Sequence, residues 1–297
     1  MKGTLYVVAT PIGNAEDISA RAKRILTEAD IVAAEDTRTT QRLFTILGIR
    51  NKTISNHKFN EKSQVDYLLS ELEKGKNAAL VSDAGTPCIS DPGGIIVKAA
   101  AEHGIKVEGI CGASAVITAL SVCGFCFDSF AFFGFLPRTT GEIKKAIYNA
   151  RKSGVKVSVF FESPKRIKKS LEVFINEAPE AALCLCNDLT KMFERIYRGT
   201  PQKILEELLA NPSSEKGEYT LVAGLGEGRE PALEKGPSPE ALLIDYIVTS
   251  GASVKDAVKI LAEKHRAHFS KKDFYSASLN LRALFSELFA QDTTSNL

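Results

Sequence analysis

The 297-residue sequence has no apolar run long enough to cross a bilayer, and its first short run is stopped by Pro11. That opening stretch is also too short for a secretory signal, so the expectation is a cytoplasmic protein without a membrane span. Net charge is low as well: +2 at neutral pH, too little to mark a nucleic-acid binder by itself, so any basic surface must be local. Histidine is scarce. His57, His103, His265 and His268 include no H-E-x-x-H pair, and the chain has no G-x-x-x-x-G-K-[ST] phosphate cradle. Six cysteines are present, and a reducing compartment argues against disulfides between them. Cys123, Cys126, Cys184 and Cys186 could be drawn as a zinc site. A lone C-x-x-C in apolar surroundings reads instead as small buried side chains, and no metal is expected.

What the sequence does have is one dense loop. Residues 78–81, Ala-Ala-Leu-Val, read as a buried strand, and residues 95–100 read as a helix. Between them, Asp83 to Gly94 hold two prolines, three glycines and two aspartates. A strand that runs through a small-residue loop into a helix is where open α/β sheets bind ligands. Gly85 permits close approach of a ligand to the main chain, the prolines stiffen the loop, and Asp83 and Asp91 can accept hydrogen bonds.

Along the chain, strands at 4–9, 31–34, 53–55, 78–81 and 106–108 alternate with apolar-faced helices. Asn14 is a candidate cap for the first of these helices, and Gly48 closes the second. The alternation predicts a mainly parallel sheet covered by helices on both faces. Four loops then meet at its carboxyl edge: 10–14, 35–38, 82–87 and 112–115. A hinge follows Phe130–Phe135, and strands at 155–161, 181–186 and 219–225 form a second half. A polar linker spans 226–239. The remainder reads as helical, with Ser250 to Ser253 breaking and recapping the chain. We expect an N-terminal α/β domain over 1–133, a second α/β domain over 134–228 and a C-terminal helical region over 229–297. Three basic clusters stand out: Lys144 to Lys152, Lys165 to Lys169 and Lys255 to Lys272. Clusters of that kind on a nearly neutral chain suggest a polyanion partner.

Five motifs occur in order: Thr10-Pro11-Ile12-Gly13-Asn14, Ala34-Glu35-Asp36-Thr37-Arg38, Val81-Ser82-Asp83-Ala84-Gly85-Thr86-Pro87, Gly134-Phe135-Leu136-Pro137 and Phe161-Glu162-Ser163-Pro164. On these the chain resembles the ribosomal RNA small subunit methyltransferase I family, over about residues 3–225. The resemblance implies the tetrapyrrole methylase fold (class III methyltransferases), a homodimer, and S-adenosylmethionine (SAM) as methyl donor to a cytidine 2′-hydroxyl of 16S rRNA in the small ribosomal subunit. By position it implies a cofactor site of Pro11, Asp83, Ala84, Gly85, Thr86, Ser114 and Ala115, with Phe161 and Leu185 from the second half. The chain departs from the family in three places. Ala113 replaces the usual proline, Asn187-Asp188 replace Arg-Glu before Leu189-Thr190-Lys191, and Lys165 stands where histidine is common.

A ribose hydroxyl needs an in-line approach to the methyl and an acceptor for its proton. Glu35, Asp36 and Glu162 are the candidate bases, and Arg38, Lys165 and Lys191 the candidate phosphate contacts. The plainer reading makes Glu35, Asp36 and Arg38 a salt-bridge and capping cluster. Two rivals share the fold: a methyltransferase acting on a tetrapyrrole or a protein side chain, and a non-catalytic ribosome-assembly factor that binds SAM and rRNA. The basic clusters favour RNA over the first rival.

Overall fold

The computed structural model describes residues 1–57, 60–225, 237–266 and 269–292. His268 and most of the expected linker lie outside them. The chain divides into two compact units, Met1–Glu227 and Gly228–Leu297.

The first unit opens with β1 (Thr4–Val8), α1 (Ala20–Glu28), β2 (Ile31–Ala34), α2 (Thr37–Leu47), β3 (Thr53–Ser55), α3 (Glu61–Glu73), β4 (Ala78–Val81), α4 (Gly94–Glu102), β5 (Lys106–Ile110) and α5 (Ala115–Val122). Its five strands lie in the order β3-β2-β4-β1-β5, all parallel. Burial follows the two-residue period of a strand. Ala78 and Leu80 pack with Leu68 of α3 and Ile96 of α4, whereas Ala79 and Val81 pack with Leu26 of α1 and Phe44 of α2. The expected parallel sheet with helices on both faces is therefore present, and every strand delivers its following loop to one edge.

Asn14 does not cap α1. It accepts from the Glu16 N–H and closes a single 3-10 turn at Ala15–Asp17, while Ser19 caps α1 by accepting from the Ala22 N–H at 3.1 Å. Both side chains suit a cap; the apolar face of α1 begins only after Ser19.

The unit continues with β6 (Phe130–Phe135), α6 (Thr140–Lys152), β7 (Val157–Glu162), α7 (Ile167–Glu177), β8 (Ala182–Asn187), β9 (Arg195–Gly199), α8 (Pro201–Ala210) and β10 (Tyr219–Gly224). These strands form a second sheet, β6-β7-β10-β8-β9, in which only β6 and β7 run parallel. Sequence reading missed β9 and α8. The boundary expected at 133 falls inside β6, all of which belongs to this second sheet. One face of the sheet is covered by α6, α7 and α8 through Ile147, Phe174 and Ile204. The other face, Val159, Cys184, Cys186 and Val222, is covered by Val116, Ala119 and Leu120 of α5 together with Ile12 and Leu189. Cys123, Cys184 and Cys186 are buried as expected, but Cys126 is exposed.

The second unit contains α9 (Pro239–Ser250), α10 (Val254–Lys264) and α11 (Lys271–Asp292) around Leu243, Ala257, Leu261 and Phe274. The break and recap are where the sequence puts them: Gly251 closes α9, and Ser253 accepts from the Asp256 N–H to open α10. Among the described residues no helix is long and apolar enough to cross a membrane.

Candidate active site

The loops after β1, β2, β4 and β5 are stitched together at the carboxyl edge of the first sheet. Thr10 N–H donates to Gly85 O (2.9 Å) and Gly85 N–H returns to Thr10 O (3.0 Å), an isolated antiparallel bridge between two loops. Gly85 makes it possible because its φ of +76° lies in the left-handed region that other residues avoid. Thr86 donates its hydroxyl proton to Ala113 O at 3.2 Å, which ties in the loop before α5. Asp36 N–H donates to Asp83 Oδ1 (3.1 Å) and Asp83 N–H to Glu35 Oε2 (3.3 Å), which ties in the loop after β2.

Between these loops and the second sheet lies a cavity of about 410 Å³. Glu35, Asp83, Ala84, Gly85, Thr86, Asp91, Ser114 and Ala115 line it from the first sheet, and Phe135, Phe161, Glu218, Tyr219 and Thr220 from the second. Its described lining contains five carboxylates (Glu35, Asp83, Asp91, Glu162 and Glu218) and no cationic side chain. Two of the five are neutralised from behind: Glu162 by Arg166, and Glu218 by Lys191 at 3.1 Å. Three remain. Burial raises the Glu35 carboxyl above its ordinary value against a hydrogen bond from the Asp83 N–H, and the charges of Asp91, Asp83 and Asp36 raise it further. Burial likewise raises Asp91, against a hydrogen bond from Ser82, with repulsion from Asp83 adding to it. Asp83 stands more open to solvent. Partial loss of water is still the largest influence on it and raises its carboxyl, assisted by the Asp36 charge and opposed by the Asp36 N–H and the Arg38 charge. Such a site favours a cation and disfavours phosphate.

The remaining candidates fall elsewhere. Asp36 caps α2, accepting from the Arg38 N–H at 2.8 Å, and binds the Arg38 guanidinium through both oxygens (3.1 and 2.7 Å). The Arg38 side-chain hydrogen bond, followed by the Arg38 N–H, holds the Asp36 carboxyl down at about 2. The capping reading therefore describes Asp36 and Arg38; only Glu35 of the motif lines the cavity. The Glu162 side chain is fully buried, although the residue is part of the lining. It accepts from Ser163 N–H, Ser170 Oγ and Arg166, and Arg166 also donates to the carbonyls of Leu136 and Pro137 at 3.1 Å. Both oxygens of that carboxylate are engaged by its own fold. Leu185 is buried in the core between the second sheet and α6–α8, because its side chain faces away from α5. Pro11 precedes the cavity residue Ile12 without lining the cavity itself, and Lys165 is exposed and makes no ion pair among the described residues.

Lys191 belongs to a tightly wired loop between β8 and β9. Its ammonium binds Asp188 at 2.9 Å and Glu218 at 3.1 Å; burial works against its charge, but these two carboxylates outweigh it and raise its pKa. Asp188 and Thr190 both adopt left-handed backbone, with φ of +52° and +66°. For threonine that conformation costs on the order of 1–3 kcal/mol. The loop is braced in return. Thr190 N–H donates to Glu194 (2.6 Å), and Asn14 N–H donates to Thr190 Oγ1 (3.1 Å). Gly13 fits because it has no Cβ: one there would lie 2.5 Å from Lys191 Cγ and 2.8 Å from Leu189 O. Asn187 is buried, with its amide donating to Lys216 O and Glu218 O (3.4 and 3.3 Å). Asn187 and Asp188 thus hold the turn that brings Glu218 to the cavity, while the Tyr219 ring packs in the core on the α6–α8 face, its hydroxyl donating to Ser214 O at 2.8 Å.

Asp91, read with Asp83 as an acceptor of the ligand loop, does line the cavity. Sequence reading missed Ile12, Phe135, Glu218, Tyr219 and Thr220 as lining residues. Ile12 and Phe135 sit inside stretches already singled out; Tyr219 and Thr220 open an ordinary buried strand and give no local signal.

The family described as Tetrapyrrole (Corrin/Porphyrin) Methylases matches residues 4–205, more than half of the chain. The chain belongs to this family. Among similar proteins, the ribosomal RNA small subunit methyltransferase I of Halalkalibacterium halodurans is 39% identical over 93% of this chain and 94% of its own. Those of Neisseria meningitidis and Bacillus subtilis are 40% and 36% identical, over 88% and 93% of this chain and 88% and 94% of their own. This membership agrees with the resemblance read from the motifs. Solved tetrapyrrole-methylase folds are more distant. A cobalt precorrin-4 methyltransferase aligns with a TM-score of 0.54 at 18% identity, covering 75% of this chain and 96% of that one. A diphthine synthase aligns at 0.56 and 17%, covering 74% and 89%. A Thermus thermophilus uroporphyrin-III C-methyltransferase, complexed with S-adenosylhomocysteine, aligns at 0.52 and 16%, covering 75% and 97%.

Proposed function

We propose that this chain is a SAM-dependent methyltransferase of the small-subunit ribosomal RNA, acting on the 2′-hydroxyl of a cytidine in 16S rRNA, in the cytoplasm and as a homodimer. The observation that carries the reading is the cavity with three carboxylates outside any ion pair and no cationic side chain among its described lining, built from the motifs shared with the rRNA methyltransferases. SAM supplies an electrophilic methyl on a sulfonium. Its positive charge and ammonium suit Glu35, Asp83 and Asp91, and its lack of phosphate suits the absence of a cradle. Asp83 is the acceptor for a polar group of the cofactor, beside the main chain of Ala84, Gly85 and Thr86. Ser114 and Ala115 begin α5, and the N–H groups there suit a carboxylate. Phe135 and Phe161, with ring centroids 5.4 Å apart, give an apolar wall for adenine.

Of the three candidate bases, Glu35 is the one whose carboxyl is both raised and in the cavity wall. It is the proton acceptor in this reading, with positioning supplying much of the rate. Asp36 is too acidic while bound to Arg38, and Glu162 is occupied. Arg38 and Lys165, exposed outside the cavity, are suited to phosphates. Lys191 acts by holding Glu218. In the second unit Lys255, Lys259, Lys271 and Arg282 flank an apolar groove and add basic surface. The homodimer rests on β6, an edge strand that exposes Phe130 and Phe133.

Labelled methyl transfer from SAM to small ribosomal subunits of cells lacking the enzyme tests the reading. Label is expected on a ribose of a 16S cytidine. Label on protein, on a tetrapyrrole, or nowhere despite SAM and rRNA binding, would replace it with one of the rival functions.

A further inference from the structure

The loop between β8 and β9 spends strain and hydrogen bonds on holding two large apolar side chains in water. Met192 is 91% exposed and Phe193 76% exposed, next to each other at its tip. Left alone, a tip of this kind would turn such side chains inward. Here the backbone on their N-terminal side is fixed by the left-handed Asp188 and Thr190, by Lys191 N–H donating to Asp188 O (3.0 Å), and by Glu194 N–H donating to Lys191 O (3.1 Å). An apolar pair that a braced loop holds outward marks a contact surface.

Its place gives the contact a purpose. The loop's base packs on Gly13 and, through Leu189, on Ile12 of the cavity wall. Lys191, the residue before Met192, holds Glu218 of the same wall. The carboxylates around the loop are engaged: Asp188 and Glu218 by Lys191, Glu194 by the Thr190 N–H, and Glu215 by Lys168. Two exposed cations beside it, Arg195 and Lys216, make no ion pair among the described residues. An exposed aromatic side chain on a loop that carries exposed cations and is anchored to the cavity wall is the arrangement that binds an unpaired base by stacking and its phosphates by charge.

We propose that Phe193, with Met192 beside it, is the platform on which an unpaired base of the RNA substrate stacks, next to the nucleotide that enters the cavity, while Arg195 and Lys216 take the flanking phosphates. This rests on the RNA-methyltransferase reading above.

The test uses the full-length protein, with Phe193→Ala and Phe193→Tyr compared with wild type. Methyl transfer to unmodified small subunits, SAM affinity by calorimetry and mass by light scattering are measured on each. Losing one base–aromatic stack should raise KM for subunits roughly tenfold. The kcat, SAM affinity and mass should stay as in wild type, and Phe193→Tyr should restore KM. An unchanged KM for Phe193→Ala overturns the platform while leaving the enzyme's function intact. A KM rise that accompanies a change in mass also overturns it, because the loop is then a protein–protein contact. Wild-type protein that transfers no methyl to subunits fails the underlying reading instead. The platform is then judged by binding to a single-stranded ribo-oligonucleotide, where equal affinity of Phe193→Ala and wild type overturns it.

Discussion

The first sheet runs all five strands one way, whereas the second pairs one strand in parallel and the rest antiparallel. The parallel sheet brings successive loops to one edge, and those loops carry Glu35, Asp83 and Asp91, none of them in an ion pair among the described residues. The second sheet offers flatter wall residues, Phe161 and Thr220, and its one buried carboxylate is matched by Arg166. In the first sheet charge is left over for a ligand; in the second it is used up by the fold. That contrast separates residues that bind from residues that hold.

The largest expected effect strikes the second sheet. Glu162→Ala removes the partner of Arg166 and should cost stability of about 3 kcal/mol, the low end for a broken buried pair because Arg166 keeps two carbonyl partners and some solvent. Urea unfolding measures it. A loss under about 1 kcal/mol would mean that the carboxylate is not structural, and would return Glu162 to the list of candidate bases.

Asp83→Ala should leave the fold in place and weaken SAM binding by about 1.5–3 kcal/mol, the size of a hydrogen bond to a charged group. Calorimetry reads this as a roughly tenfold to hundredfold rise in Kd. Asp83→Asn, which keeps an acceptor for the Asp36 N–H, separates the loss of charge from damage to the loop. An unchanged Kd in both variants removes Asp83 from the cofactor site.

The smallest effect is a pH dependence that sets the two kinds of carboxylate apart. The folded pKa values of Glu35, Asp83 and Asp91 lie above their ordinary 4.5, 3.8 and 3.8. As pH falls through these raised values the folded chain takes up protons before the unfolded chain does, so their contribution to stability improves down to the ordinary values. Affinity for a cationic ligand runs the other way and should weaken over the same window, beginning above the ordinary carboxylate range. Asp36 behaves oppositely. Its depressed value gives stability that is present above its ordinary 3.8 and lost as pH falls through about 2. Calorimetric SAM titrations at falling pH check the first group; a flat profile would mean that these carboxylates do not face the cation.

Much of the first sheet was legible because a parallel strand buried on both faces reads as an unbroken apolar run, and each loop after it reads as small and polar. Ala78 to Val81 and the loop beyond it are the plainest case. The cavity's first wall was legible for the same reason. Its second wall was not. Tyr219 and Thr220 enter by the pairing of β10 with β7 and β8, which no local pattern announces. Leu185 and Phe161 look alike in sequence, as apolar residues near strand ends. Only the direction each side chain takes from the sheet puts one in the core and the other in the cavity. The charged motif misled differently: Glu35 and Asp36 are neighbours, yet the turn into α2 gives one to the cavity and the other to Arg38.

The packing of α5 determines where this chain can be divided. Val116, Ala119 and Leu120 follow the last strand of the first sheet but fill the core of the second. A hybrid joined at 133 would pair one parent's α5 with the other parent's Val159, Cys184 and Val222, so each junction would have to match across a core inherited from two sources. Exchange between relatives is expected to succeed with a join ahead of Ser114, which lets the helix travel with the sheet it covers.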